Sequence, residues 1–158
     1  MSGVAALPAR IDALNRLYGH AIDDGDYERW PEFFAEDALY KITTRWNHDR
    51  AMPAGLMLCQ GRAMMEDRVS ALRTANVYEP HHYRHLIDPP VITDGSESAI
   101  SATAGFAVYR TMQSGVPEIF CTGKYVDRIV EADGGLKFSE RIVVCDGERI
   151  DTMIVIPL

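Results

Sequence analysis

ISATAGFAV, residues 100–108, alternates without a break. Ile100, Ala102, Ala104, Phe106 and Val108 fall on one face of an extended chain, and smaller or polar residues fall on the other. Successive side chains of a strand point to opposite faces, so this pattern predicts a long strand with one face buried. Three more strand-like runs follow: IFCTGKYVDRIV (119–130), FSERIVVC (138–145) and RIDTMIVI (149–156). Between and before them stand Asp94-Gly95, Ser114-Gly115, Asp133-Gly134-Gly135 and Asp146-Gly147, the punctuation of hairpins. The wide spacing of these breaks implies long strands, which curl. The second half of the chain therefore reads as an antiparallel meander, and its apolar ending MIVIPL has to be covered by a sheet or an interface.

Working back toward the N-terminus, the pattern changes period. Leu7, Ile11, Leu14, Tyr18 and Ile22 recur at helical spacing, with Leu17 and Ala21 beside them and Pro8 suited to a first turn. Asp23-Asp24-Gly25 stops that helix, and Asp26 is placed to cap a short second one near YERWPEFF (27–34). LYKITTRW (39–46) alternates and predicts a strand. After a loop with Pro53 and Gly55, Met65, Val69, Leu72 and Asn76 mark a third helix over 61–78. Helices first and a sheet after them predict an α+β fold, in which a cone-shaped, curved antiparallel sheet wraps around the N-terminal helices and encloses a pocket. The 158 residues suit one domain, 1–158.

Composition narrows the function classes. Apolar residues make up 47% and charged residues 25%, as in a water-soluble globular protein. The net charge of −7 without a basic stripe excludes phosphate backbones and anionic membranes as partners. No run approaches the ~20 apolar residues of a membrane span. MSGVAALPARIDAL (1–14) lacks a basic start followed by an apolar block, so a cytoplasmic location is expected. Cys59, Cys121 and Cys145 are isolated and odd in number, which reads as reduced, partly buried thiols.

EPHHYRHLI (79–87) holds three of the five histidines, His81, His82 and His85. Pro80, Pro89 and Pro90 argue for extended chain here. His81, Tyr83 and His85 then share one face, with His82, Arg84 and Leu86 opposite. The two sets cannot converge on one ion without a bend. A facial triad needs two histidines and a carboxylate on one side, and Asp88 lies on the His82 side. A Rieske cluster needs Cys-x-His twice, and no cysteine has a histidine two or three places on. No metal or cofactor site is therefore assigned. Acid–base chemistry stays open: Asp23 or Asp24 ends the first helix and could face the mouth of the cone, where Tyr18, Tyr40, His85 and Tyr125 could join it. Helix stop and helix cap explain the same acidic run equally well. Gly-x-Ser-x-Gly and phosphate-loop patterns are absent, and Gly123-Lys124 sits inside a strand. Asp127, Arg128, Glu140 and Arg141 read as exposed pairs across neighbouring strands or as a charged subunit contact. Trp30, Phe33, Phe34 and Trp46 read as core, with Trp46 also a candidate interface anchor.

Five strings carry a wider resemblance: YGHAIDDGDYERWPEFFAEDALYKITT (18–44), EDRVSALRTANVYEPHHYRHLI (66–87), GKYVDRIV (123–130), ERIVVCD (140–146) and DTMIVIPL (151–158). Together they resemble the small (beta) subunit of aromatic-ring-hydroxylating dioxygenases, in the flavour paired with enzymes acting on terephthalate, anthranilate or salicylate. The resemblance implies the nuclear transport factor 2-like (cystatin-like) cone. It implies a non-catalytic structural subunit whose large (alpha) partner carries the Rieske iron–sulfur cluster and the mononuclear iron, with no cofactor on this chain. It further implies a homotrimer of small subunits within a hetero-hexamer, fed with electrons from NADH by a reductase or ferredoxin, and cis-dihydroxylation of an arene by the complex. The alternative is a stand-alone cone-fold dehydratase or isomerase using Asp23, Tyr18 and His85.

Overall fold

The computed structural model describes residues 2–75, 78–96, 98–150 and 154–158. Helix α1 (Ser2–Asp23) opens the chain, followed by a 3₁₀ helix (Tyr27–Phe33), strand β1 (Phe34–Thr44), a short helix α2 (Arg45–Asp49), strand β2 (Met57–Gln60) and helix α3 (Arg62–Thr74). The second half is strand: β3 (His82–Ile87), β4 (Val91–Gly95), β5 (Ile100–Thr111), β6 (Pro117–Ala132) and β7 (Gly135–Cys145). The seven strands form one sheet in the order β2-β1-β7-β6-β5-β3, with β4 also paired to β5.

Each element follows from its apolar spacing. On α1, Ile11, Leu14, Tyr18 and Ile22 are buried, whereas Leu17, off that stripe, is half exposed. The helix begins at Ser2, so Pro8 lies inside it rather than in its first turn. Met65, Val69 and Leu72 are the buried face of α3; the fourth position of that stripe, Asn76, lies outside the described residues. On β5, Ala102, Ala104, Phe106 and Val108 are buried, as the alternation requires. The β6–β7 turn places Asp133 at φ 53° and Gly134 at φ 80°, the two left-handed residues of a type I′ turn, whose twist matches the flanking strands.

The sheet folds its inward face around α1. Tyr18 meets the rings of Phe33, Phe34, Tyr125 and Phe138 edge-on at centroid distances of 5.9–6.3 Å, and these residues come from the 3₁₀ helix, β1, β6 and β7. The α+β cone is therefore the observed architecture.

Four more expectations about the fold are corrected. The sheet is not wholly antiparallel: β1 runs parallel to β7, with Tyr40 opposite Arg141 and Ile42 opposite Val143. That pairing joins residues about a hundred positions apart, and a hairpin reading cannot reach it. Arg45 and Trp46 leave the strand, because Thr44 caps α2 by accepting from the Asn47 amide at 3.2 Å; Trp46 is 42% exposed rather than core. Asp26 precedes the 3₁₀ helix without a side-chain capping bond. Residues 149–156 do not form a described strand: 149–150 and 154–158 are irregular, and 151–153 lie outside the described residues. Both edges of β7 are already taken by β1 and β6, so the apolar ending packs inward instead, with Ile154, Val155, Ile156 and Leu158 all buried.

Candidate functional site

Asp23 ends α1 and His85 sits in the middle of β3, and the two meet. The His85 backbone amide donates to Asp23 Oδ2 at 2.8 Å, and His85 Nδ1 lies 2.6 Å from Asp23 Oδ1. Both side chains are almost sealed from solvent, 1% exposed for His85 and 3% for Asp23. Gly19, one turn earlier on α1, makes room: a Cβ there would stand 3.2 Å from His85 Cβ. Arg84 Nη1 approaches Asp23 Oδ2 at 3.9 Å from the exposed side of β3. A small cleft of about 80 Å³, lined by Arg16, Gly19, His20, Asp23, Arg84 and His85, lies along this seam. The parity read in the sequence holds: Tyr83 and His85 are buried, His82, Arg84 and Leu86 are exposed.

Tyr18 does not join this pair. It lies five residues before Asp23, about 140° around a helix of 3.6 residues per turn. Its hydroxyl donates instead to the backbone oxygen of Leu158, which also accepts from Tyr40. Burial raises the Tyr18 pKa, with Arg141 opposing the rise, so the hydroxyl keeps its proton. The three alternative residues thus occupy two places. An imidazole oriented by a carboxylate is the second half of a proton-transfer device, yet His85 Nε2 is enclosed without a hydrogen-bond partner.

The sequence reading missed a second polar centre. Arg141 on β7 reaches Asp127 on β6 through Nε (2.9 Å) and Nη2 (2.8 Å) and also donates from Nη2 to Asn15 Oδ1 on α1. Read as an exposed cross-strand pair, it is fully enclosed, 0% and 1% exposed. Its guanidinium lies over Tyr125 and Phe138 at 3.8 and 3.9 Å and over Tyr18 at 4.4 Å. Burial raises the Asp127 pKa and Arg141 opposes it; burial lowers Arg141, and Asp127, Tyr18 and Tyr125 more than reverse this, so it stays cationic. The signal was available: Asp127 shares strand parity with Tyr125 and Ile129, both core. Its neighbours in register, Arg128 and Glu140, do stand on the outer face.

His81 is half-buried: its Nδ1 contacts the Glu79 oxygen at 2.8 Å, and its ring packs against Tyr78 and Tyr83. Cys59, Cys121 and Cys145 are free and buried. Among the described residues, no three of His, Cys, Asp and Glu are grouped to hold a metal ion, and no helix is long and apolar enough to cross a membrane.

Comparison with known proteins places this arrangement. The SnoaL-like domain family matches residues 5–142. A beta subunit of the terminal oxygenase component of terephthalate 1,2-dioxygenase from Comamonas sp. is 42% identical over 94% of this chain and 97% of its own length. The small subunit of anthranilate 1,2-dioxygenase from Burkholderia cepacia is 35% identical over 91% of this chain and 89% of its own. The crystal structure of the beta subunit of a proposed aromatic-ring-hydroxylating dioxygenase from Novosphingobium aromaticivorans superposes with a TM-score of 0.88, at 37% identity and 97% coverage of both chains. The chain belongs to the SnoaL-like domain family and, within it, to the beta (small) subunits of aromatic-ring-hydroxylating dioxygenases.

Proposed function

We propose that this chain is the structural, non-catalytic small subunit of a Rieske non-haem iron dioxygenase that cis-dihydroxylates an aromatic carboxylate. The observation that carries the reading is the end-to-end match, at 42% identity, to a terephthalate dioxygenase beta subunit. The Rieske cluster and mononuclear iron are assigned to the large subunit, a reading supported by the likeness of this chain to the beta subunits of such oxygenases. The chain acts as one domain, in the cytoplasm, as a homotrimer that supports three large subunits; a ferredoxin or reductase delivers electrons from NADH to the complex. No residue of this chain is assigned to catalysis.

The stand-alone dehydratase or isomerase reading needs Tyr18 beside Asp23 and His85, and the Tyr18 hydroxyl is committed to Leu158 instead. Co-expression with a Rieske-type large subunit tests the proposal. The expected result is co-elution in equal amounts with a hexamer's mass. Failure of the two chains to associate would contradict it.

A further inference from the structure

Exposed apolar side chains gather at both ends of the sheet. At the β2 end, Trp46, Met52, Leu56 and Leu58 are each 42–47% exposed. Lys41 ties three of them into one patch: it stands opposite Leu58 in register and donates to the Met52 oxygen at 3.2 Å, and the Leu56 amide donates to the oxygen of Ile42 beside it. The Arg50 guanidinium lies 4.1 Å over the Trp46 ring. Over residues 41–62 the sequence sets Lys41, Arg45, Arg50 and Arg62 against the single acid Asp49, in a chain whose net charge is −7.

At the other end, β3 and β4 lie in line along β5. Leu86, Val91 and Asp94 stand opposite Ala107, Thr103 and Ser101. Asp88 fills the gap between them: its amide donates to the Gly105 oxygen at 2.9 Å, and its carboxylate occupies the room that a Cβ on Gly105 would take. These four β5 positions alternate with the buried Ala102, Ala104 and Phe106, so the stripe stands on the outer face, apolar and acidic by turns. Leu86 and Val91 are 55% and 62% exposed. Residues 86–98 hold three acids and no lysine or arginine.

We propose that the β2 end of one copy docks on the β3–β4 stripe of the next, with Trp46 as the apolar anchor and Arg50 facing Asp88 and Asp94. Grouped exposed apolar side chains mark a surface that is covered in the working assembly. The two ends share that apolar content and carry opposite charge. A two-fold contact of either end with itself would set like charge against like, which costs several kcal/mol and favours other partners. Contact of one end with the other removes that conflict and leaves each chain a free end of each kind, so it runs head to tail until it closes into a ring. A different subunit would have to match one end; only self-association requires the two ends of one chain to match each other. The ring size of three rests on the homotrimer reading above, whereas the surfaces rest on this chain alone.

The test measures the mass of the purified full chain by light scattering as the parent, as Arg50→Glu, as Asp94→Lys and as the double variant. Both positions are exposed, so circular dichroism is expected to show the same fold in all four. The parent is expected to associate into a ring, and each single variant to associate roughly tenfold more weakly or worse, because like charges then meet. The double variant exchanges both signs and is expected to regain the ring. Acrylamide quenching of Trp46 is expected to rise in each single variant and to fall again in the double. A parent of one chain's mass, single variants that associate as the parent does, or a double variant as weak as the singles overturns the proposal. Single variants that keep the ring but lose a Rieske-type large subunit assign these ends to that subunit and overturn it as well. A ring of another number with the same variant pattern keeps the surfaces and corrects the homotrimer reading. Co-elution of the parent with the large subunit is scored separately, so failure of the small-subunit reading and failure of this interface give different results.

Discussion

Arg141 and Asp127 form a two-point ion pair at 2.9 and 2.8 Å between β7 and β6, with both side chains closed to solvent. Breaking such a pair leaves an uncompensated buried charge, whereas replacing both partners removes the problem. Asp127→Ala is therefore expected to cost roughly 3–5 kcal/mol. The double change Asp127→Leu with Arg141→Met is expected to be less destabilised than either single change. Urea midpoints of the four proteins measure this; additive single effects would show that the pair is not the unit.

Asp23 fastens the end of α1 to β3 through the His85 amide and ring. Asp23→Ala is expected to lower stability by roughly 1–3 kcal/mol, the range for a buried group left unpaired. Turnover by the assembled oxygenase, per intact complex, is expected to stay unchanged. Thermal unfolding and product formation are measured on the same preparation, and loss of turnover without loss of stability would assign the pair a chemical role.

Gly123 of β6 lies where a Cβ would stand 1.9 Å from the Val144 backbone oxygen. That atom belongs to the neighbouring strand and cannot swing aside. Gly123→Ala is expected to cost at least the ~1–3 kcal/mol of an overpacked core, read as a lower melting temperature. An alanine variant as stable as the parent would mean that β6 and β7 separate freely here.

Glu28 on the 3₁₀ helix takes two hydrogen bonds from Arg73 on α3, each 2.8 Å. The Arg73 hydrogen bonds pull its pKa down from 4.5 to about 2. A depressed carboxylate contributes stability that is complete above its unfolded pKa and is lost as pH falls through the folded one. The clip therefore weakens from about pH 4.5 down to about pH 2. Because the pair is exposed, its contribution after screening is at most about 1 kcal/mol. Glu28→Gln is expected to flatten the acid limb of stability against pH in low salt, and an unchanged limb would show the clip to be idle.

The parts of the fold that were legible in the sequence are those whose partners are near in the chain. The α1 stripe of Ile11, Leu14, Tyr18 and Ile22, the alternation of β5 and the Asp133-Gly134 turn all read directly, because periodicity and turn chemistry are local. The parallel β1–β7 pairing was not legible, because a strand's sequence does not name a partner about a hundred residues away. The ending IVIPL carries strand-forming residues, but β7 had no free edge to give it. Asp127 and Arg141 look like surface charges until α1 brings Asn15 across to seal them. At the candidate site, parity put Tyr83 and His85 on one face and the acidic stop put Asp23 at the end of α1, but which face turns inward is set by the packing of α1 on β3. The separation of Tyr18 from both depends on the position of Leu158, which no local pattern encodes.

On the proposed function, the iron of the dioxygenase is held by another subunit. The most direct measurement is metal content and arene turnover of the purified chain alone, set beside the chain assembled with its large subunit. The account predicts that the isolated chain contains no stoichiometric iron and turns over no aromatic carboxylate, while the assembled complex does both. Stoichiometric iron on the isolated chain, lost on replacing His81 or His85, would contradict it.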